Sequence, residues 1–82
     1  MSKPTRRERI HNLDVTVWVG KHGIDAVVDE LNDQLQNRDF VKVKFHRAAR
    51  AEADADELTE QLAERVNAKV VETRGHTGVL ER

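Results

Sequence analysis

The chain has 82 residues, enough for one domain with a modest core but too few to enclose a deep catalytic chamber. It has no cysteine, which excludes disulfides and thiolate metal sites. It also has no apolar run of the roughly 20 residues that a membrane span needs and no apolar stretch of a signal peptide, so we expect a cytoplasmic single domain over residues 1–82.

Charge is distributed unevenly, although the net charge is only -1. Residues 1–50 carry ten Lys or Arg and seven Asp or Glu, whereas residues 51–82 carry four and eight. A basic first part and an acidic second part would orient the molecule toward an anionic partner.

The chain begins with a basic lead-in, residues 1–12, which we expect either as a short helix or as irregular chain. Residues 14–19 alternate, with three valines on one face and Thr16 and Trp18 on the other, which predicts a strand. Trp18 either stacks on a nucleic-acid base or is covered by Ile10 of the lead-in. We expect it to be covered.

Residues 20–23, Gly-Lys-His-Gly, end this strand and lead into a helix over 24–37. Asp25 is expected to cap that helix, because a carboxylate can accept hydrogen bonds from its first free N–H groups. Residues 40–45 alternate again and predict a second strand, in which Lys42 and Lys44 share one face.

A polar connection leads to an amphipathic helix over residues 54–66, with Asp54 as its expected cap. Residues 69–74 and 79–82 predict two strands joined by a turn at 75–78. The order (α)βαβαββ is typical of an α/β fold with a mixed four-stranded sheet: parallel neighbours where helices connect the strands, and a final antiparallel hairpin.

The first candidate site is the glycine loop, which we define as Gly20, Lys21, His22 and Gly23. It lies before a helix N-terminus, where free N–H groups and the helix dipole favour anions. Glycine lets a ligand approach the backbone, Lys21 offers a cation, and His22 offers a donor or a stackable ring. These features suit a nucleic-acid phosphate. The alternative is an ordinary strand-to-helix turn, and the spacing of a nucleoside-triphosphate loop is absent.

The second candidate is a set of cations: Lys42, Lys44, Arg47 and Arg50, with Arg74 as an addition. They either follow a nucleic-acid backbone or form the solvated side of a strand that resists edge pairing. The four histidines lack the spacing of a metal site, and no serine or carboxylate pair is arranged for catalysis. We therefore expect no enzyme activity, metal, cofactor or small-molecule substrate.

Three segments carry a resemblance to a known family. Residues 17–24 (Val-Trp-Val-Gly-Lys-His-Gly-Ile) resemble the signature loop of the CRM domain, named for chloroplast RNA splicing and ribosome maturation. Residues 40–44 (Phe-Val-Lys-Val-Lys) resemble its second strand, and residues 75–82 resemble its closing hairpin. The chain is thus similar to the free-standing prokaryotic, archaeal-type members, the YhbY-like proteins.

The resemblance implies a fold like the C-terminal domain of a bacterial translation initiation factor. It also implies binding of RNA, with association to precursors of the large ribosomal subunit. The RNA contacts would come from the glycine loop and from Lys42 and Lys44. Asp25 departs from the family pattern, because a neutral threonine is common at that position.

Two other hypotheses stay open. One is a dimeric DNA- or chromatin-associated protein of similar architecture, which the net charge of -1 disfavours. The other is a protein–protein adaptor that uses the acidic helix over residues 54–66. In the RNA hypothesis, that acidic helix would face away from the nucleic acid.

Overall fold

A computed structural model describes residues 5–51 and 53–82 of the chain. These residues form three α-helices and four β-strands, which confirms the predicted α/β fold. In chain order the elements are α1 (Arg6–His11), β1 (Val15–Val19), α2 (Val28–Asn37), β2 (Val41–Phe45), α3 (Ala55–Val66), β3 (Lys69–Arg74) and β4 (Thr77–Glu81). Residues 1–4 of the predicted lead-in and Glu52 of the polar connection lie outside the described residues.

The four strands form one mixed sheet in the order β1-β2-β4-β3. β1 and β2 are parallel, whereas β4 is antiparallel to both β2 and β3. The carboxyl ends of β1 and β2 therefore lie at the same edge of the sheet, together with the turn that joins β3 to β4. We call this edge the loop edge.

The main core lies between one face of the sheet, here called the inner face, and helices α2 and α3. Val43 and Phe45 of β2, Leu31 of α2 and Leu62 of α3 are fully buried in it. The period-two pattern of residues 40–45 thus correctly predicts which side of β2 is apolar. Asp54 caps α3 as expected, accepting a 2.9 Å hydrogen bond from the Glu57 N–H.

Helix α1 packs on the opposite face, the outer face, where Ile10 contacts Phe40 and Val79. A capping box starts the helix: the Glu8 N–H donates to the Thr5 hydroxyl at 3.1 Å, and the Thr5 N–H donates to the Glu8 carboxylate at 3.3 Å. Six residues make a helix of only about 9 Å. α1 therefore covers only part of the outer face.

Strand β1 departs from the predicted alternation because it contains a bulge between Val15 and Val17. A bulge adds one residue to a strand and so shifts the side chains on one side of it to the other face. The Thr16 hydroxyl donates to the Gln34 side-chain oxygen of α2 at 2.6 Å, and Gln34 donates back to the Thr16 carbonyl at 3.2 Å. Val15 lies opposite Lys42 and is not part of the buried valine face.

Two local predictions were wrong. Asp25 is not a cap, because the helix begins as a 3₁₀ turn (Ile24–Val27) with Gly23 at the cap position and no side-chain cap. The turn at 75–78 is shorter than expected, since β4 already begins at Thr77. A tight two-residue turn suffices because Gly75 adopts a positive φ of 58°.

Candidate nucleic-acid interface

The backbone of the glycine loop makes a tight turn, in which the Gly23 N–H donates to the Gly20 carbonyl at 3.0 Å. Gly23 has φ 77° and ψ -175°, a conformation essentially restricted to glycine. A Cβ on Gly20 would meet nothing within 4 Å, so the turn itself does not require that glycine. Lys21 and His22 lie at the tip and are exposed to solvent.

Hydrogen bonds between backbones connect the glycine loop to the other two segments of the loop edge. The His46 N–H donates to the Val19 carbonyl at 2.8 Å, just before the loop. The Phe45 N–H donates to the His76 carbonyl, also at 2.8 Å. The end of β1, the end of β2 and the β3–β4 turn are therefore direct neighbours.

Strand register aligns four residues across the outer face. Trp18 of β1 pairs with Lys44 of β2, Lys44 pairs with Thr77 of β4, and Thr77 pairs with Arg74 of β3. We call this set the cross-strand row. It lies on the outer face because Val17 and Val19, the neighbours of Trp18 along β1, are buried on the inner face.

Trp18 is exposed over 51% of its surface. The expectation that Ile10 covers it was wrong, because Ile10 packs against Phe40 and Val79 instead. Those two residues belong to the part of the outer face that the short helix α1 reaches, which does not include the cross-strand row.

The structure separates the predicted cations into three groups. Lys44 and Arg74 are exposed in the cross-strand row, and Arg47 is exposed just beyond the end of β2 at the loop edge. Lys42 is half-buried and lies one step back from the edge, opposite Val15 and Val79. Arg50 is also half-buried, and its Nε donates to the Phe45 carbonyl at 3.1 Å. That bond fixes the 3₁₀ turn (Arg47–Arg50) onto β2.

Comparison with known proteins gives the family. The model of the CRS1 / YhbY (CRM) domain matches residues 2–82. The chain belongs to this family. It is 41% identical, over 93% of its length, to a Methanocaldococcus jannaschii protein named "Probable RNA-binding protein". The chain spans 57% of the length of that relative.

A solved structure shares the fold of this CRM domain. It is the solution structure of a hypothetical protein of Staphylococcus aureus, described as "a putative RNA binding protein". The two chains superpose with a TM-score of 0.75 at 31% sequence identity. The match covers 93% of this chain and 78% of the Staphylococcus protein.

The acidic side chain of Asp25 has a basic partner in helix α3 of this CRM domain. The carboxylate of Asp25, two residues after the glycine loop, forms an ion pair with the guanidinium of Arg65 in α3. Both side chains are more than half exposed. The pair offsets the negative charge that Asp25 brings close to Lys21.

Three of the four histidines lie at the loop edge, although only His22 was predicted to take part in the site. His22 is in the glycine loop, His46 follows β2, and His76 is in the β3–β4 turn. Histidine can donate to a phosphate or stack on a base. The signal in the sequence was that each one follows the end of a predicted strand, but only the strand order brings these ends together.

The exposed carboxylates of α3 lie on the other side of the domain. α3 packs on the inner face, so its solvent-facing residues point away from the outer face that carries the cross-strand row. Four acidic residues are exposed along the helix: Asp56, Glu57, Glu60 and Glu64. A polyanion bound at the row would therefore not face them.

Within residues 5–51 and 53–82, no three His, Cys, Asp or Glu side chains are grouped closely enough to hold a metal ion. No helix in this part of the chain is long and apolar enough to cross a membrane.

Proposed function

We propose that this CRM domain binds RNA at its loop edge and performs no chemistry of its own. The observation that carries the proposal is the parallel pairing of β1 and β2, with Val19 opposite Phe45. Because of that pairing, the glycine loop after β1 and the 3₁₀ turn of Arg47 after β2 both follow strand ends at the loop edge, which the cross-strand row adjoins. In this proposal the three segments that meet at that edge contribute to one basic surface.

In this proposal the glycine loop takes one phosphate and the exposed cations follow the backbone. Gly20 has free space around its Cα, so a phosphate can approach the main chain there, with Lys21 supplying the charge. Lys44, Arg47 and Arg74 extend the contact and release counterions from the RNA. Lys42 contributes from a peripheral position.

In this proposal the main role of Arg50 is to hold Arg47 in place. Its hydrogen bond to the Phe45 carbonyl holds the 3₁₀ turn, and therefore Arg47, at the loop edge. The guanidinium keeps further N–H donors that can reach a phosphate, since one Nε–H bond uses only one of its five.

RNA is preferred to DNA because the Methanocaldococcus and Staphylococcus proteins are both described as binding RNA. The resemblance to YhbY-like proteins supports a finer proposal, namely that the RNA is ribosomal and the protein acts in the cytoplasm during assembly of the large subunit. Co-sedimentation of the protein with large-subunit precursors, but not with mature subunits, tests this part separately.

The test of RNA binding compares two double variants of equal charge change. Lys21→Ala/Arg47→Ala removes two exposed cations from the loop edge, whereas Arg38→Ala/Lys69→Ala removes two exposed cations at the opposite edge. Binding to large-subunit ribosomal RNA fragments is measured by fluorescence anisotropy over a series of salt concentrations. Circular dichroism confirms that both variants are folded.

We expect the loop-edge variant to bind about tenfold more weakly, with a salt slope smaller by about 1.4, which is about 0.7 for each lost contact to single-stranded RNA. The opposite-edge variant should bind like the wild type. Equal losses in both variants would mean that binding depends on overall charge, which contradicts the proposed site. Absence of RNA binding by the wild type would instead favour the adaptor hypothesis, and a preference for DNA of the same sequence would favour the chromatin hypothesis.

A further inference from the structure

We propose that Trp18 is a stacking platform for an unpaired RNA base, so that the ligand of this surface is RNA with a single-stranded segment at the loop edge. This inference rests on the proposed function and adds to it the class of RNA. Its four supports are the exposure of Trp18, its edge position, its cationic neighbours and its distance from the glycine loop.

The indole is accessible from two directions. Trp18 lies on β1, which is an edge strand of the sheet, and the residue is 51% exposed, with its side chain on the outer face. Its neighbours along the strand, Val17 and Val19, are fully buried and hold the backbone in place. A base can therefore slide onto the ring without rearranging the core.

Charge complementarity identifies the partner as a polyanion. In the cross-strand row, Trp18 is followed by Lys44 on the next strand and Arg74 on the far strand. The row spans three strand spacings, about 14 Å in all. An apolar partner protein would find no continuous apolar surface here, whereas a nucleotide offers a ring for the indole and phosphates for the cations.

Trp18 is also close to the phosphate site of the proposed function. Gly20 follows it by two residues, a distance of about 7 Å along an extended chain. An RNA strand whose phosphate approaches Gly20 thus passes beside the indole. A single exposed tryptophan is ordinary on a protein surface, and it is this combination with the loop and the cations that carries the inference.

An exposed indole can stack on an unpaired base but not on a base inside a duplex. Bases inside a duplex are already stacked on their neighbours and cannot present a face to a side chain, whereas unpaired bases can be splayed out onto an aromatic ring. A platform made by one indole beside a backbone-binding loop therefore favours a strand end, a loop or a bulge.

The experiment uses the fluorescence of the wild-type protein, because Trp18 is the one tryptophan of the chain. Oligouridylate and the same strand annealed to oligoadenylate are titrated against the protein. Labelled oligouridylate is then titrated against Trp18→Ala and Trp18→Phe. Val70→Ala is the matched control, because Val70 is also exposed but lies on β3 outside the row.

We expect the single strand, but not the duplex, to quench Trp18 fluorescence. Trp18→Ala should weaken binding of oligouridylate about 5- to 150-fold, the range for one base–aromatic contact. Trp18→Phe should restore most of the affinity, and Val70→Ala should leave it unchanged. The salt slope of Trp18→Ala should equal that of the wild type, because no phosphate contact is lost.

Three outcomes would overturn the stacking inference while leaving RNA binding intact: equal affinity of Trp18→Ala and wild type, preferential binding of the duplex, or no recovery with Trp18→Phe. The proposed function is tested apart from these outcomes, by the loss of affinity in Lys21→Ala/Arg47→Ala. Absence of any RNA binding by the wild-type protein overturns the proposed function and the stacking inference together.

Discussion

Gly78 of β4 lies directly against the side chain of Thr59 in α3. A Cβ on Gly78 would be only 3.0 Å from the Thr59 Cβ and 2.7 Å from its Cγ2, closer than such atoms pack. Thr59 is fully buried, and its hydroxyl donates to the Ala55 carbonyl at 2.6 Å. The contact between α3 and the sheet thus depends on the absence of a side chain at Gly78.

Gly78→Ala should destabilise the domain by about 1–3 kcal/mol, because the added methyl group overpacks a rigid contact. Each kcal/mol corresponds to a fall in Tm of about 4–8 °C for a domain of this size. Thermal unfolding followed by circular dichroism measures the change. In a Thr59→Ala background the added cost of Gly78→Ala should shrink, and an equal cost in both backgrounds would show that Thr59 is not the obstacle.

The two glycines of the loop should respond differently to alanine. Gly23→Ala should cost about 1–3 kcal/mol of stability, because its φ of 77° strains any residue with a Cβ. Gly20→Ala should change stability by less than about 0.5 kcal/mol, yet it should weaken RNA binding, because its methyl group would stand where a phosphate approaches. Denaturant unfolding and RNA titration of both variants separate these effects. Unchanged RNA affinity in Gly20→Ala would remove Gly20 from the proposed site.

Breaking the ion pair between Asp25 and Arg65 should affect RNA binding more than stability. Arg65→Gln exposes the Asp25 charge near the loop, and we expect about 2- to 5-fold weaker binding, the size of a surface ion pair. The change in unfolding free energy should stay below about 1 kcal/mol. The same substitution in an Asp25→Asn background should have little effect on affinity at low salt. A similar loss in that background would mean that Arg65 contacts the RNA itself.

Helix α1 should depend on a single buried anchor. Ile10→Ala should cost about 2–5 kcal/mol and should release α1 from Phe40 and Val79, which faster hydrogen exchange of the α1 amides would report. Ile10→Val, which keeps most of the contact, should cost about 0.5–1.5 kcal/mol. RNA affinity should not change in either variant, because the loop edge lies away from α1. A large loss of affinity would place α1 within the RNA surface.

Sequence periodicity predicted most of the elements, because the geometry that creates it is local. Residues 40–45 show this well: alternation alone assigned Val41, Val43 and Phe45 to the core, and all three are buried there. The helix predicted over residues 54–66 is α3 (Ala55–Val66). The helix predicted over residues 24–37 has the correct extent, although its first turn is a 3₁₀ turn.

The failures came where a contact distant in sequence decides the local structure. At the bulge of β1, Thr16 forms hydrogen bonds with Gln34 of α2, a contact that local alternation cannot reveal. Gly78 was predicted to lie in a turn because glycine is common in turns. In the structure it lies in β4, where the close approach of the Thr59 side chain leaves no room for a Cβ. Trp18 was expected to be covered, but the coverage depended on where the short helix α1 docks.

The sequence by itself determined most of the elements, the apolar face of α2, β2 and α3, the glycine loop and the resemblance to the CRM family. These follow from side-chain spacing and backbone stereochemistry, which act over a few residues. Only the tertiary structure decided which of the candidate residues are neighbours. The parallel pairing of β1 with β2 and the insertion of β4 beside β2 bring the ends of β1 and β2 and the β3–β4 turn to one edge of the sheet, because strand pairing is selected by the packing of the whole core.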